Sequence, residues 1–178
     1  MNTQAPSDLF ELLDVEDFQK RIIDGYNDGS AELELEADLS VARSIIPPST
    51  AQHRDFSYIG PDIPAFSQED CVACMECVTE CPDTAILAKV VGEEDYNSRL
   101  DEADEETTER LKHHLSETKK FHTVPAKKGI EPGMFGIFVD PSKCKGCGEC
   151  VEVCGEHDAL KMVEKEEMGL DWYRKSFQ

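Results

Sequence analysis

The chain has few basic residues, one tryptophan and no long apolar run, and these scarcities exclude several classes of protein. Its 178 residues include 18 Lys and Arg against 38 Asp and Glu, for a formal net charge of −20. Such an acidic chain repels phosphate backbones, so we expect no nucleic-acid partner. No apolar segment approaches the roughly 20 residues that span a bilayer. Residues 1–10 lack the basic start and apolar core of a secretory signal, so we expect a soluble, cytoplasmic protein.

All eight cysteines lie in two runs that share one spacing. The first run is Cys71-x-x-Cys74-x-x-Cys77-x-x-x-Cys81-Pro82, and the second is Cys144-x-x-Cys147-x-x-Cys150-x-x-x-Cys154-Gly155. Three thiolates at three-residue intervals can surround one iron–sulfur cluster from a single tight loop. The repeated spacing therefore predicts two such centres.

Zinc sites and disulfides are the alternative uses of these cysteines. Zinc sites commonly contain two well-separated Cys-x-x-Cys pairs, whereas each run here is a triplet followed by a fourth cysteine. Small disulfide-bonded proteins scatter their cysteines and occur in oxidising compartments. The spacing favours iron–sulfur clusters over both alternatives.

The cysteine spacing resembles the ligand run of bacterial-type ferredoxins, in which the fourth cysteine of each run binds the cluster of the other run. The resemblance implies two [4Fe–4S] clusters with crossed ligands. One cluster would be held by Cys71, Cys74, Cys77 and Cys154, and the other by Cys144, Cys147, Cys150 and Cys81. Because every cysteine is then a ligand, we expect no open iron and no catalytic residue on this chain.

Short apolar segments flank both runs in the same order. The first half predicts a strand at residues 63–67, a helical turn at 78–81 and a strand at 85–91, and the second half repeats this order at 136–140, 151–154 and 159–163. We therefore predict an α+β fold over residues 61–165, a bacterial-type two-cluster ferredoxin domain whose halves are related by a pseudo-twofold axis.

An N-terminal extension over residues 1–60 precedes this domain, and we expect it to dock on another surface. Periodic apolar residues predict a helix at residues 8–24 that ends at Gly25. Alternating apolar and acidic residues at 31–39 predict a strand, although Glu and Ala are poor strand formers. Prolines predict an extended connector over 45–64.

A long insertion, about residues 92–134, separates the two halves, and a tail follows at 166–178. Apolar residues at helical intervals, including Tyr96, Leu100 and Leu111, predict a helix over residues 93–122. In the tail, Trp172 would either anchor a partner or cover one end of the cluster domain. The histidines lie outside the cysteine runs, so we expect surface or hydrogen-bonding roles for them.

The two predicted cluster loops differ in composition. The first contains the apolar residues Val72, Ala73 and Met75, and the second contains Lys145, Gly146 and Gly148. A cation and unobstructed backbone amides stabilise the more negative, reduced state of a cluster. We therefore expect the cluster of the second loop to have the higher reduction potential.

A more particular resemblance comes from residues 63–66, 77–86 and 138–154 together with the long insertion. Over about residues 60–165, these segments resemble the two-cluster ferredoxin domain, or delta-type subunit, of the 2-oxoacid (pyruvate/2-oxoglutarate):ferredoxin oxidoreductases. Those enzymes oxidise 2-oxoacids with coenzyme A on thiamine diphosphate. The resemblance implies an electron-transfer subunit that relays electrons between a thiamine-containing partner and an external ferredoxin-type acceptor.

The chain has no Gly-Asp-Gly motif for thiamine diphosphate, so we expect that cofactor on a partner chain and no turnover by this chain alone. Two other functions remain as alternatives. The chain could be the electron-transfer subunit of another redox complex, such as a hydrogenase or a dehydrogenase. It could also be a docking protein in which the clusters are structural.

Overall fold

Two units with different secondary structure make up the chain, Met1–Phe56 and Ser57–Gln178. The computed structural model describes residues 15–34, 46–47 and 50–177. Within these residues the first unit contains helices and turns, whereas the second unit combines helices with strands.

The N-terminal helical segment extends further than the sequence predicts. Helices α1 (Val15–Phe18) and α2 (Asp24–Asp28) are joined by a π-helical turn at Gln19–Ile23. The predicted end at Gly25 was wrong, because the helix continues to Asp28 and Gly29 then adopts a left-handed φ of 82°. A left-handed glycine is a common end of a helix. The predicted start at residue 8 lies outside the described residues.

Helix α3 (Ala31–Glu34) replaces the first part of the strand predicted at residues 31–39. The Ser30 amide donates a 2.8 Å hydrogen bond to the Asp28 carboxylate just before this helix. Ala and Glu form helices readily and strands poorly, so their intrinsic preference outweighs the alternating pattern. Residues 35–39 lie outside the described part of the chain.

The proline-rich connector contains a 3₁₀-helical turn at Thr50–His53, so the prediction of an extended chain was wrong at this point. Thr50 is only 1% exposed, and its hydroxyl donates a 2.8 Å hydrogen bond to the Pro47 carbonyl. Asn27 ties the end of the turn to α2 through a 3.0 Å hydrogen bond. The turn is thus held against the helices of the first unit.

The second unit alternates strands and short helices. The strands are β1 (Asp62–Phe66), β2 (Ile86–Gly92), β3 (Leu115–Glu117), β4 (Gly133–Val139) and β5 (Leu160–Glu164). The helices are α4 (Glu76–Thr79), α5 (Glu93–Glu102), α6 (Glu105–His114), α7 (Val124–Lys127), α8 (Glu149–Cys154), α9 (Lys165–Met168) and α10 (Leu170–Phe177). A π-helical turn at Lys119–Thr123 and a 3₁₀ turn at Gly155–His157 complete the set. The predicted mixture of helix and strand is confirmed.

Two antiparallel sheets position the cysteine runs. β1 pairs with β5, with Asp62 opposite Glu164 and Phe66 opposite Leu160. The second sheet has the order β2-β4-β3. The four predicted strands overlap β1, β2, β4 and β5, whereas β3 was not predicted. The pseudo-twofold relation between the halves stays a prediction.

The segment between the runs is not the single helix predicted over residues 93–122. Helix α5 ends at an extended Ala103, and the Asp104 carboxylate then accepts a 2.8 Å hydrogen bond from the Thr107 amide. Aspartate at this position is a strong N-cap, so it starts a new helix, α6. After α6 the chain enters β3, which adds to the edge of β4.

The helical turn predicted at residues 78–81 was displaced by about two residues. Helix α4 begins at Glu76 and ends at Thr79, so Cys81 follows the helix instead of closing it. In the second half, α8 begins at Glu149 and includes Cys154. The fourth cysteines of the two runs therefore lie in different local structures.

The larger core lies between the two sheets and the cysteine runs. Its largest fully buried side chains are Ile63, Phe135, Ile137 and Leu160, each no more than 2% exposed. A smaller core contains Tyr96, Leu115 and Met134, with Leu100 and Leu111 packed against it. Every helix in the described part of the chain is too short or too polar to cross a bilayer.

His114 lies within an aromatic cluster beside the larger core. The residue is 4% exposed, and its Nδ1 lies 3.1 Å from the Ile137 carbonyl oxygen. Its ring stacks on Phe138 at a centroid distance of 4.9 Å and on Trp172 at 6.4 Å. Burial, reinforced by the charge of His113, lowers the pKa of His114 to about 4. Trp172 packs against the core, so within this chain it has the covering role.

The lowered pKa of His114 predicts a specific loss of stability in acid. Protonation of His114 favours the unfolded chain. The contribution of neutral His114 to the free energy of unfolding is therefore complete above the ordinary pKa of 6.5 and declines as pH falls towards 4. Between pH 7.5 and 5.5, we expect the decline to be about 1 kcal/mol. The His114→Phe variant should lack this decline in stability. Thermal unfolding of the cluster-loaded protein, measured anaerobically across this pH range, would test the difference.

His53→Phe, at an exposed position in the first unit, is the control and should keep the wild-type pH dependence. Equal pH dependence in the wild type and His114→Phe would contradict the assignment to His114.

Candidate metal centres

Both cysteine loops have positive φ values at matching positions. In the first loop Ala73 and Met75 have φ values of 59° and 70°, and in the second Gly146 and Gly148 have φ values of 71° and 83°. These residues occupy matching positions, two and four residues after the first cysteine of each run. A left-handed conformation costs about 1–2 kcal/mol for a residue with a Cβ atom. The first loop therefore stores strain that the glycines of the second loop avoid.

Backbone amides point at sulfur atoms in the two halves. The amide of Ala73 hydrogen-bonds to Cys71, and that of Gly146 hydrogen-bonds to Cys144. The Ala85 amide donates to the Cys81 Sγ at 3.2 Å. Such bonds stabilise the thiolate form of cysteine, which is the form that binds metal.

Two cavities bring cysteines of both runs together. The first cavity is lined by Cys71, Cys74, Cys77 and Cys154. The second cavity is lined by Cys81, Cys144, Cys147 and Cys150. Each cavity thus combines the first three cysteines of one run with the last cysteine of the other.

The most buried thiols lie at the third position of each run. Burial, with the charges of neighbouring thiols, raises the pKa of Cys77 to about 12 and that of Cys150 also to about 12. The neighbours acting on Cys77 include Cys154, and those acting on Cys150 include Cys81. The last cysteine of each run is therefore close enough to influence the thiols of the other run.

The donor set and its surroundings fit two iron–sulfur clusters. All eight cysteines are free thiols, and each cavity has four of them. Apolar side chains line most of the rest of the first cavity, among them Phe66, Ile137 and Leu160. Four thiols around a largely apolar cavity match the Cys₄ ligation of a [4Fe–4S] cluster.

Close backbone contacts fix the second loop against β1. A Cβ atom on Gly60 would collide with the Lys145 carbonyl oxygen, and one on Gly146 would come within 2.8 Å of the Asp62 carbonyl oxygen. In addition, the Lys145 ammonium forms a 2.6 Å ion pair with Asp83, two residues after Cys81. The second loop is therefore joined to the end of the first run.

Some charged groups near the cavities could not be found from the local motif. Asp83 neutralises Lys145, and the Lys120 ammonium donates a 3.2 Å hydrogen bond to the Ala73 carbonyl. His157 also lines the first cavity. In the sequence, the only indication that His157 lines this cavity is its position three residues after Cys154.

A separate group of metal-capable side chains lies on the insertion. His122 is 3.5 Å from both Glu93 and Glu117, and the three residues could each offer one ligand atom. The two glutamate side chains are 41% and 64% exposed, which is typical of a solvated charge cluster.

Comparison with known proteins agrees with the geometry of the cysteines. Residues 70–160, about half of the chain, match the family described as the 4Fe-4S dicluster domain. The chain belongs to this 4Fe-4S dicluster family. The two [4Fe–4S] clusters predicted from the spacing are thereby confirmed as its cofactors, and the chain is an iron–sulfur electron-transfer domain.

Several relatives of this dicluster domain are much longer proteins. A probable pyruvate-flavodoxin oxidoreductase of Escherichia coli is 30% identical over 129 residues, which are 65% of this chain and 10% of that protein. A pyruvate-flavodoxin oxidoreductase of Nostoc sp. is 33% identical over 97 residues, 54% of this chain and 7% of that protein. A pyruvate:ferredoxin oxidoreductase of Moorella thermoacetica is 30% identical over 112 residues, which are 62% of this chain and 8% of that protein. The dicluster chain thus spans about a tenth or less of these relatives, and the predicted resemblance to the pyruvate oxidoreductases is confirmed.

The contacts of the second loop predict that Gly146→Ala and Gly148→Ala behave differently. Both residues have positive φ values, but only the Cβ of Gly146 would meet backbone, whereas that of Gly148 has no atom within 4 Å. We expect Gly146→Ala to release iron at least about fivefold faster than Gly148→Ala, since about 1 kcal/mol corresponds to that ratio. Anaerobic iron transfer to a chelator would measure both rates, and equal rates would refute the proposed contact.

Proposed function

We propose that this chain is an electron-transfer subunit that relays electrons between a thiamine-diphosphate 2-oxoacid oxidoreductase and an external ferredoxin-type acceptor. The observation that carries the proposal is the pairing of cysteines in the two cavities. A [4Fe–4S] cluster, when bound, gains and loses one electron at a time. The chain's own residues would hold the clusters, exclude water from them and present them to partners.

Crossed ligation is the arrangement that the cavities support. Cys154 would complete the set of Cys71, Cys74 and Cys77, and Cys81 would complete that of Cys144, Cys147 and Cys150. All four thiols of each cavity are then used. A site with no vacant ligand position suits electron transfer better than substrate chemistry, so the chain alone would have no turnover.

The matching backbone of the two loops supports a domain made of two related halves. The equal placement of positive φ values and the strands that flank each run are consistent with a pseudo-twofold repeat. On this proposal the domain covers residues 61–165, with an insertion at about 92–134, an N-terminal extension and a short tail.

The exposure of the cysteines indicates where electrons would enter and leave. Cys74 and Cys147 are exposed, whereas Cys77 and Cys150 are buried. Val72 is 48% exposed and also lines the first cavity. Each cluster would therefore approach the surface at the middle of its loop, which leaves two separate faces for a donor and an acceptor.

The strongly acidic composition indicates partners with basic docking faces. The formal net charge is −20, and two oxidised clusters with their thiolates would add about −4. Opposite charges on a partner accelerate association and orient the two proteins. The relatives named as pyruvate oxidoreductases suggest a catalytic partner that acts on pyruvate or a related 2-oxoacid.

Serine variants of the two last cysteines should affect different clusters. We expect Cys154→Ser to perturb the cluster of Cys71, Cys74 and Cys77, and Cys81→Ser to perturb that of Cys144, Cys147 and Cys150, because each change removes one ligand. Iron and sulfide content, with EPR spectra of the dithionite-reduced proteins, would show one altered and one intact centre. If each variant damaged the cluster of its own run, the crossed assignment would be wrong.

The relay itself predicts a thiamine-containing partner. Anaerobic purification of the chain from its native cell should co-purify a subunit that carries thiamine diphosphate. Adding pyruvate or 2-oxoglutarate with coenzyme A to that complex should reduce the clusters, as detected by EPR. The same mixture without coenzyme A is the control.

Partners that carry nickel, molybdenum or flavin instead would favour another redox complex. Clusters that dithionite cannot reversibly reduce would favour a structural role.

A further inference from the structure

A buried lysine lies outside both cysteine runs, on the segment that follows the last strand. Lys165 follows β5, and its amide donates a 2.9 Å hydrogen bond to the Pro61 carbonyl. The residue is 8% exposed, and its ammonium donates to the backbone carbonyl of Ser57, which is also buried. The ammonium is therefore held in place within the fold.

This ammonium differs from those of Lys145 and Lys161 in its charge environment. Lys145 is paired with Asp83, and Lys161 with Asp158. Among the side chains that the structure describes, no carboxylate forms an ion pair with Lys165, whose partner is a neutral carbonyl. A buried charge is unfavourable unless an opposite charge lies nearby. The fold thus contains a buried positive charge with no carboxylate paired to it among the described side chains, so a bound anion could serve as the counter-charge.

A candidate for that counter-charge is the second set of thiols. The Pro61 carbonyl that accepts from the Lys165 amide lies between Gly60 and Asp62, and the backbones of these two residues closely approach the second cysteine loop at Lys145 and Gly146. Lys165 is therefore anchored to the segment that packs against the second loop, where its charge would stabilise an anionic cluster. A cluster with four thiolate ligands is anionic and becomes more negative on reduction.

We propose that Lys165 is the counter-cation of the cluster held by Cys144, Cys147, Cys150 and Cys81, and that it gives this cluster the higher reduction potential. The inference rests on the ligand sets of the proposed function. The sequence predicts the same order of potentials from Lys145, but the ion pair with Asp83 offsets that charge. We assign the higher potential of the second cluster to Lys165 because its charge is buried and is not paired with a carboxylate among the described side chains.

The first cavity has a weaker counterpart. The Lys120 ammonium reaches the Ala73 carbonyl, but the Lys120 side chain is exposed. Solvent and salt screen an exposed charge far more than a buried one. We therefore expect Lys120 to affect its cluster less than Lys165 affects the other.

Lys165→Met tests the proposal, since methionine keeps much of the side-chain length without the charge. In the cluster-loaded protein, EPR-monitored redox titration should show the second cluster shifted to a more negative potential. We expect at least a tenfold change in its reduction equilibrium, or about 59 mV for one electron, with the first cluster unchanged. The clusters are assigned by the spectral changes in Cys81→Ser and Cys154→Ser.

Lys145→Met and Lys161→Met are the matched controls, and both should shift the potentials less than Lys165→Met. Lys165→Gln provides a second neutral variant, and its shift should equal that of Lys165→Met. The shift should also persist between 50 and 500 mM salt, over which the Debye length that screens a surface charge shortens about threefold.

Unchanged potentials in both neutral variants, or equal shifts of both clusters, would overturn the proposal. Loss of the shift at high salt would also overturn it, because it would place the acting charge at the surface. If neither cluster of the wild-type protein is reversibly reduced, the proposed function fails instead, so the two failures can be distinguished.

Discussion

The exchange of the last cysteine between the two runs is the constraint on which the rest of the domain depends. Cys154 reaches the cavity of the first run, and Cys81 reaches that of the second. Neither half can therefore complete a four-thiol site alone. The long chain between the runs must bring them together before either set of four thiols is assembled. The free energy of cluster binding offsets the entropic cost of closing this loop. The pairing of β1 with β5 and of β2 with β4 supports it.

Metal binding and folding are coupled through the same thiols. Burial raises the pKa of both Cys77 and Cys150 to about 12, so both remain neutral near pH 7 until metal displaces their protons. The amides of Ala73 and Gly146 already point at sulfur. The amides that hydrogen-bond to sulfur are therefore in place before the metal binds. Metal binding supplies the free energy needed to deprotonate the buried thiols.

The cofactor could be predicted because its signal is local: eight cysteines at fixed intervals specify the ligand chemistry whatever the rest of the chain does. The flanking strands were also predictable from short apolar segments. The break at Asp104 was missed because apolar periodicity continued past a strong N-cap, and the helix at Ala31–Glu34 because alternation masked helix-forming residues. The partners of Lys145 and Lys165 depend on contacts between distant residues, which spacing within a motif cannot reveal.

Net charge and local charge have different consequences in this protein. Among the described residues, the excess of acidic side chains is mostly exposed to solvent, where water and salt weaken its effect beyond about 10 Å. It therefore bears on the approach of partners more than on the cavities. A single ammonium within the fold is screened much less. Two sites with the same thiol ligands and nearly the same loop backbone can thus differ in potential when a buried cation lies beside only one of them. On the proposed relay, this asymmetry would give electrons a preferred site between a donor and an acceptor.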